Sequence, residues 1–392
     1  MPPTPDVISP VLGRKRFLPL LGAGIVLLNL LVVSMAVASL RQSLRNHRER
    51  AAATAWNLAQ VLDHYVADAI GKADYALLAV KDEAEREPGG SGLDGFLRRQ
   101  HGRVPGLRSI RTADAEGRVV HSSGMVPDAP LAVGDRDYFI RLREDPEAGL
   151  VISKPLLGRV SGTWIVIVAR RLEGPGRRFA GIVYGVIPVD QFQRAFSALN
   201  VGPHGSVALR TLDLGLVARH PEPGAAGTAV GETLVSGEFH AFAQSGREAG
   251  IYRARTPFDH IQRTFGIRRV SGQPFFILVG VADQDFLGGW WKDVAQECLE
   301  VALIGGLSLA GFGLIRRAWL RQQASQTDLE RLLTEVKTLG GMLPICSHCK
   351  KIRDDKGYWN QLEAYLNAHT DAEFTHGICP DCAAAFFPRD RK

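Results

Sequence analysis

The stretch VALIGGLSLAGFGLI, Val301–Ile315, decides how this 392-residue chain is organised. Its fifteen residues carry no charge, whereas a membrane-spanning helix needs about 20 mostly apolar residues. Tryptophans flank the stretch, with Trp291 before it and Trp319 after it. At about 1.5 Å per residue, a helix between these two would span roughly 42 Å, close to a bilayer with its headgroups, where Trp is enriched. The stretch therefore predicts a transmembrane helix over residues 295–315.

The charges around this helix predict its orientation. Arg316, Arg317 and Arg321 follow the apolar run, whereas acidic residues offset Lys292 before it. Because basic residues are retained on the cytoplasmic side, the C-terminal flank is expected inside. The alternative is the buried helix of a soluble protein. Glu300, close to the apolar run, is the residue that favours this alternative.

A second apolar run lies near the start of the chain. Residues 17–40 carry no charge and follow the basic residues Arg14, Lys15 and Arg16. A cleaved signal peptide would have a shorter apolar core and a small-residue exit site, which Val37-Ala38-Ser39 imitates. The length of the run favours a retained transmembrane helix instead. Two spans predict that residues 1–16 and the region after 315 are cytoplasmic, and that residues 41–292 lie outside.

Charge and cysteine usage narrow the class of protein. The formal net charge of +6 comes largely from arginines next to the two apolar runs, so nucleic-acid binding is not expected. Of the five cysteines, Cys298 lies in the transmembrane helix predicted at 295–315, and the other four follow it. The exterior segment has no cysteine, and its roughly 250 residues are enough for a sizeable core without disulfides. The cysteine cluster lies on the reducing side, which favours metal binding.

The exterior segment predicts one long helix followed by two small antiparallel sheets, an α+β fold. Apolar residues recur at three- and four-residue steps from Arg45 to about Glu87, the period of a helix. The run Pro-Gly-Gly-Ser-Gly at 88–92 ends this helix. Strand-like runs follow at 107–112, 118–121, 150–156, 163–171 and 178–188, with a short helix at 135–143, and then at 206–211, 214–219, 250–255, 262–270 and 275–281.

Three stretches in this segment resemble a known family. Residues 134–172, beginning GDRDYFIRLRED, and residues 178–192, RFAGIVYGVIPVDQF, resemble the distal half of a double Cache (PAS-like) sensor domain. Residues 250–281 resemble its proximal half. The resemblance implies a double Cache domain with a distal half at about 87–190 and a proximal half at about 191–285. It also implies a small-molecule sensor outside a bacterial inner membrane, with two spans and both termini cytoplasmic.

The resemblance also implies ligand-binding residues. In amino-acid-binding relatives, an arginine and an aromatic residue in the matching segment hold the ligand carboxylate; the matching residues here are Arg136, Asp137, Tyr138 and Phe139. The relatives' Pro-Tyr-x-Asp segment, which helps to hold the amino group, falls on residues 155–158, Pro-Leu-Leu-Gly, with Arg159 beside it. Because a buried ammonium without a carboxylate partner is costly, we expect a carboxylate or another anion instead. Alternatively, Arg136 and Arg159 are structural or solvated.

The juxtamembrane segment at 316–343 predicts a short coiled coil. Leu329, Leu332, Val336, Leu339 and Leu343 step by three and four residues, as the a and d positions of a heptad do. Two heptads are too few to hold alone, so we expect pairing within a membrane-anchored homodimer. A helix packed on its own tail domain is the alternative.

Residues 344–388 predict a zinc module. Its ligands would be the two CxxC pairs, which 29 residues separate: Cys346, Cys349, Cys379 and Cys382. Four thiolates form a closed tetrahedral site for structural zinc. A helix at 359–368 and a small core would accompany this site: Tyr358, Trp359, Leu362, Tyr365, Leu366 and Phe374. His348 or His376 in place of one thiolate and a redox role for the pairs are alternatives, whereas no CxxCH haem motif is present.

The tail and its neighbours predict a signalling role. The stretch from Leu343 to Cys382 resembles a small C-terminal module attached to bacterial sensor kinases and response regulators. The chain contains no GGDEF run and no glycine-rich phosphate loop, so an enzyme is not expected. We therefore expect a bacterial transmembrane receptor that signals through a zinc-bound docking module to a cytoplasmic signalling protein. A thiol-based redox sensor and a membrane-anchored scaffold that binds a protein partner are the alternatives.

Overall fold

A computed structural model describes residues 11–87, 90, 92–124, 131–222, 230–335, 342–370 and 372–386. The chain divides into two compact units, Leu31–Val301 and a unit that combines Met1–Leu30 with Ala302–Lys392. The helices are α1 (Val11–Arg86), α2 (Leu93–Gly102), α3 (Asp137–Glu144), α4 (Val189–Ser197), α5 (Gly237–Gln244), α6 (Asp283–Glu335), α7 (Leu362–His369) and α8 (Pro380–Phe386). The strands are β1 (Ser109–Ala113), β2 (Val119–Ser122), β3 (Leu150–Ile152), β4 (Leu156–Leu157), β5 (Trp164–Gly174), β6 (Arg178–Pro188), β7 (Ser206–Thr211), β8 (Leu216–His220), β9 (Ala249–Arg255), β10 (Gln262–Arg269), β11 (Phe275–Ala282), β12 (Ile352–Arg353) and β13 (Trp359–Asn360).

Helix α1 confirms the long exterior helix that the periodicity predicted. Its buried stripe follows the helical period and packs against both sheets: Ala59, Leu62, Val66, Ile70, Ala73, Leu77 and Val80. Val61 and Tyr65, which also fit the apolar spacing, lie at the edge of this stripe and are exposed. The helix is thus the common packing surface of the exterior unit.

The first sheet is antiparallel, with the order β2-β1-β6-β5-β3 and β4 paired to β5. Alternate residues of β5 face opposite sides, with Val166 and Val168 in the α1 cluster and Ile165 and Ile167 in the α3 cluster. The strand predicted at 150–156 is two short strands instead. Pro155 lies between them and has no N–H to donate to the β-sheet.

The second sheet repeats this arrangement with the order β8-β7-β11-β10-β9. One face packs on the α1 cluster through Leu209 and Ile277, and the other packs on α5 through Phe276. The predicted strand positions and the repeat are confirmed. Helices α2, α4 and α5 were not predicted. Helix α4 does carry a spacing signal, since its buried residues are Val189, Phe192 and Phe196.

Helices α1 and α6 contact each other at the base of the exterior unit. Polar side chains on facing turns make these contacts: Ser39 Oγ donates to Glu297 at 2.7 Å, Ser43 Oγ donates to Asp293 at 2.5 Å, and Trp290 Nε1 donates to the carbonyl oxygen of Leu40 at 3.3 Å. The last strand, β11, leads directly into α6. A displacement of the second sheet therefore has a short covalent route into this helix.

The other unit contains apolar segments of α1 and α6. Both helices are long and apolar enough to cross a membrane, and their most apolar windows are not buried in the described chain. Phe17 stacks on Trp319 with ring centroids 4.7 Å apart. Two such helices fit a membrane protein.

The juxtamembrane and tail segments agree only in part with the predictions. Leu329 and Leu332 lie on α6 and are exposed, whereas Val336 and Leu339 lie outside the described residues, so the coiled coil stays a prediction. In the tail, the predicted helix at 359–368 begins later, because residues 359–360 form β13 and pair with β12. Most of the predicted small core is exposed: Tyr358, Trp359, Leu362 and Phe374. The buried residues there are Ile352 and Tyr365.

Candidate ligand-binding site

A cavity lies on the α3 side of the first sheet; we call it the first cavity. It is a partly open cleft whose empty space, including open solvent, is about 490 Å³. Strands β1, β5 and β6, the start of α3 and the loop after β4 provide its walls. Its polar lining consists mainly of arginines and tyrosines: Arg108, Arg111, Arg136, Arg159, Tyr138 and Tyr184.

Two of these arginines come from the segments that carry the family resemblance. Arg136 is the N-cap residue of α3, and its Nη2 lies 3.5 Å from the carbonyl oxygen of Leu157. The guanidinium of Arg159 donates two hydrogen bonds to the carboxylate of Asp135, from Nη1 to Oδ1 at 2.9 Å and from Nη2 to Oδ2. The hydrogen bond from Arg159 lowers the pKa of Asp135. Asp135 therefore stays ionised at neutral pH and offsets one guanidinium charge.

Strands β1 and β6 supply deeper polar groups. Arg111 and Tyr184 are directly opposite each other in the antiparallel pair, and they are 8% and 2% exposed. The Nε of Arg111 and the hydroxyl of Tyr184 are buried without a hydrogen-bond partner among the described residues. Burial raises the pKa of Tyr184, and also that of Tyr138, whose ring centroid is 6.1 Å away. Both phenols therefore remain protonated and able to donate.

The charges around the first cavity are unbalanced. Four guanidinium groups line it, and no acidic side chain lines it among the described residues. Asp135 is the one described carboxylate that forms an ion pair with any of the four. Of the four, Arg111 is buried, Arg136 is half-buried, and Arg108 and Arg159 are exposed. A buried cation without a partner is costly, and a bound anion would remove that cost for Arg111 through charge-assisted hydrogen bonds. The arrangement is therefore suited to a small anion.

The structure brings together three of the five residues proposed for the ligand site. Arg136, Tyr138 and Arg159 line the first cavity. Asp137 is exposed in the first turn of α3, and Phe139 is buried against Phe179, with ring centroids 5.4 Å apart, so neither lines it.

Sequence reasoning missed Arg108, Arg111 and Tyr184 as cavity residues. The signal for Arg111 was an arginine inside the strand SIRTA, whose five residues are all buried. In a strand with two buried faces, a charged residue indicates either an internal partner or a ligand.

The first cysteine pair forms a local turn, and the second pair lies at the start of α8. The carbonyl oxygen of Cys346 accepts a hydrogen bond from the amide N–H of Lys350 at 3.0 Å. The amide N–H of Cys346 donates to the carbonyl oxygen of Lys351 at 2.9 Å. The amide N–H groups of Cys349 and His348 lower the pKa of the Cys346 thiol. In the second pair, the amide N–H of Cys382 lowers the pKa of the Cys379 thiol. Amide donors of this kind suit thiolate ligands.

The structure does not join the two pairs into one centre. Among the residues that the structure describes, no three His, Cys, Asp or Glu side chains form a group that could hold a metal ion. The zinc site of Cys346, Cys349, Cys379 and Cys382 therefore stays a prediction.

Comparisons with known proteins support the sensor fold. Residues 189–280 match the dCache_1-like family, described as a histidine kinase sensor domain. The solved extracellular domain of a candidate histidine kinase, rpHK1S-Z16, is 27% identical; the match covers 60% of this chain and 95% of that chain, with a TM-score of 0.53. The L-isoleucine complex of the ligand-binding domain of the Pseudomonas fluorescens chemoreceptor CtaA is 14% identical, with 62% and 97% coverage and a TM-score of 0.49. The chain matches no curated protein sequence.

These comparisons agree with the two-sheet architecture. The family match runs from α4 to β11, so it falls on the second sheet. The unit Leu31–Val301 thus fits the fold of a double Cache domain and is similar to histidine kinase sensor domains.

Proposed function

We propose that this protein is a bacterial transmembrane receptor whose first cavity binds a small anion, with a carboxylate favoured. One observation carries the proposal: four guanidinium groups meet at the cavity, and one described carboxylate, that of Asp135, pairs with them. The similarity to histidine kinase sensor domains supports the sensing role.

The chemistry of the lining favours a carboxylate over a zwitterionic amino acid. Guanidinium groups bind carboxylates through two parallel hydrogen bonds, and a protonated phenol adds a third donor. The remaining wall is apolar and includes Leu131, Val133 and Ile165. An ammonium group would meet no acidic lining residue among those described and would lie beside like charges.

Calorimetry tests the ligand class. The full chain in nanodiscs is titrated with carboxylates of two to four carbons, with the matching amides and with L-amino acids. We expect binding of one or more carboxylates and no binding of the amides. Arg136→Gln should weaken this binding about tenfold or more, the loss expected for one charge-assisted hydrogen bond. Arg141→Gln is the matched control, because Arg141 is exposed on the same helix and does not line the first cavity. Tight binding of amino acids alone would contradict the proposal.

The relay to the cytoplasm is proposed to run through α6. A ligand shifts such an equilibrium only by its differential affinity for two states of the receptor. Since β11 continues into α6, a change in the packing of the second sheet on α1 would move that helix. In a homodimer, the segment at 329–343 would then pair differently. Disulfide crosslinking of single cysteines along this segment should differ with and without ligand, and identical patterns would count against the relay.

The tail is proposed to be a zinc-bound docking module for a cytoplasmic signalling protein. Cys346, Cys349, Cys379 and Cys382 would be the ligands, and zinc would supply cross-links between the turns that hold them. The exposed apolar residues of this segment support the need for such a link, because so small a unit buries little surface.

A thiol-based redox sensor is the second candidate. The lowered thiol pKa values of Cys346 and Cys379 fit a reactive pair as well as a metal ligand. Metal analysis and thiol counting on the purified full chain separate the two. One zinc ion per chain with protected thiols supports the docking module, whereas zinc-free chains with reversible disulfides support redox sensing.

A further inference from the structure

The second sheet has a cavity of its own on the α5 side, which we call the second cavity. It is a partly open cleft whose empty space, including open solvent, is about 430 Å³. Strands β7 to β11, α5 and the loop between β9 and β10 contribute to it. Its lining includes two buried arginines, Arg210 on β7 and Arg219 on β8.

Three buried guanidinium groups lie in this region, those of Arg210, Arg219 and Arg263, and Asp259 is the one described carboxylate that forms an ion pair with any of them. Arg263 is saturated: it donates to the carbonyl oxygen of His204 at 2.7 Å, to Thr256 at 2.6 Å, and to both oxygens of Asp259 at 2.8 Å. Arg219 donates from Nη2 to the same carboxylate at 2.8 Å. Asp259 therefore serves two arginines and offsets one positive charge.

Arg210 has no carboxylate partner in a hydrogen bond among the described residues. Its guanidinium donates to backbone carbonyl oxygens, at 3.1 Å to Glu232 and 3.0 Å to Leu234, and also to that of Leu214. Burial and the nearby charge of Arg219 lower the pKa of Arg210 to about 10, although the charges of Tyr252 and Glu232 act in the opposite direction. Arg210 is therefore charged at neutral pH and forms no ion pair among the described residues.

The guanidinium of Arg219 contains a donor atom that has no hydrogen-bond partner among the described residues. This residue is 5% exposed and lines the second cavity, and its Nη1 is buried without a hydrogen-bond partner among the described residues. A buried donor of this kind is normally satisfied. An anionic oxygen in the second cavity would satisfy it and would reduce the excess charge.

Four aromatic side chains contribute to the walls around the charge. Phe239, Phe258, Phe265 and Tyr252 line the second cavity. The guanidinium of Arg219 lies 4.9 Å from the centroid of the Phe258 ring, and that of Arg210 lies 5.9 Å from it. Flat apolar surfaces beside a cationic group suit a ligand that has one ring and one acidic group.

We propose that the second cavity is a separate binding site for a small aromatic carboxylate, with Arg219 holding the carboxylate and Phe258 contacting the ring. The first cavity differs, because its charged groups are surrounded largely by aliphatic residues. The receptor would therefore respond to two chemical classes of anion, one in each sheet. The second site does not depend on the ligand of the first.

Benzoate is the probe, and benzamide is its neutral counterpart. The full chain in nanodiscs is titrated by calorimetry, and fluorine NMR of 4-fluorobenzoate reports occupancy. We expect saturable benzoate binding and no benzamide binding. Arg219→Gln should weaken benzoate binding about tenfold to hundredfold, the loss expected for one charge-assisted hydrogen bond. Arg255→Gln, an exposed arginine at the end of β9, and Arg136→Gln in the first cavity should leave it unchanged.

Phe258→Leu covers the case in which Arg219→Gln fails to fold, because Phe258 takes part in no ion pair. It should weaken benzoate binding severalfold and leave the melting temperature nearly unchanged. Three results would overturn the proposal: no saturable benzoate binding, equal binding of benzamide, or loss of binding in Arg136→Gln with retention in Arg219→Gln. The last result would assign benzoate to the first cavity.

Discussion

Replacing Asp63 with alanine tests how the second sheet is attached to α1. Asp63 is 1% exposed on the helix. Its carboxylate accepts hydrogen bonds from the amide of Ser271 at 2.8 Å, from Ser271 Oγ at 3.3 Å and from Arg268 Nε at 3.2 Å. Both partners lie at the turn between β10 and β11, so a single carboxylate connects the helix to the sheet.

The expected cost follows from burial. Removing one partner of a buried ion pair costs about 3–5 kcal/mol. The side chain of Arg268 is 23% exposed, so water partly solvates the remaining charge, and alanine adds about 0.5 kcal/mol of helix propensity. We therefore expect a loss of about 3 kcal/mol. For a domain of this size, that lowers the melting temperature by about 6–12 °C.

Scanning calorimetry of the full chain in nanodiscs measures this difference. The matched control is Asp68→Ala, because Asp68 is an exposed residue of the same helix whose partner is Lys72 at 2.6 Å. A surface pair contributes about 0–1 kcal/mol, so this variant should melt close to the native protein. If the two variants melt together, Asp63 does not attach the sheet to the helix, and the reasoning from burial is wrong.

Three further predictions concern packing, pH and metal. A Cβ at Gly266 would lie 2.6 Å from the backbone of Ala55, so Gly266→Ala should destabilise by about 1–3 kcal/mol, whereas Gly71→Ala, whose Cβ would meet nothing within 4 Å, should stabilise by up to about 1 kcal/mol. Burial opposes ionisation of Asp259, but hydrogen bonds from its partners outweigh burial and lower its pKa. The stability that the ionised carboxylate contributes is present above the unfolded pKa of about 3.9 and is lost as pH falls. Asp259→Asn should therefore reduce the dependence of stability on pH below about pH 4. Cys346→Ser should release the zinc proposed for the tail, measured as metal per chain.

Each of these has a clear contrary result. Equal melting temperatures for the Gly266 and Gly71 variants would show that β10 does not approach α1 closely at Gly266. For Asp259→Asn, denaturant titrations at several pH values decide, and an unchanged slope of stability against pH would refute the assignment. Native metal content in Cys346→Ser would exclude that cysteine as a ligand.

Much of the exterior fold was predictable because its signals are local. The strands at 164–174 and 178–188 are rich in β-branched residues, and successive side chains of each strand point to opposite faces of the sheet. The part of α1 from Arg45 to about Glu87 was predicted from its helical period, whereas the structure shows one continuous helix over Val11–Arg86. Short helices such as α5 were missed, because eight residues give little more than two turns of pattern.

The candidate site also has residues that the sequence could predict and residues that only the fold brings together. Arg136, Tyr138 and Arg159 are near one another in sequence, so a sequence motif could predict that they share a site. Arg111 and Tyr184 are 73 positions apart, and only strand pairing sets them opposite each other. The second cavity, too, depends on the register of five strands, which no local pattern specifies.

The sequence by itself determined the long helix, the two repeated sheets, the apolar segments and the cysteine spacing, because hydrophobic period and turn residues act over a few positions. The tertiary structure alone decided which arginines share a cavity and which of them lacks a partner. The reason is physical: whether a charge is compensated depends on the groups that surround it in space, and residues far apart in the chain supply those groups here.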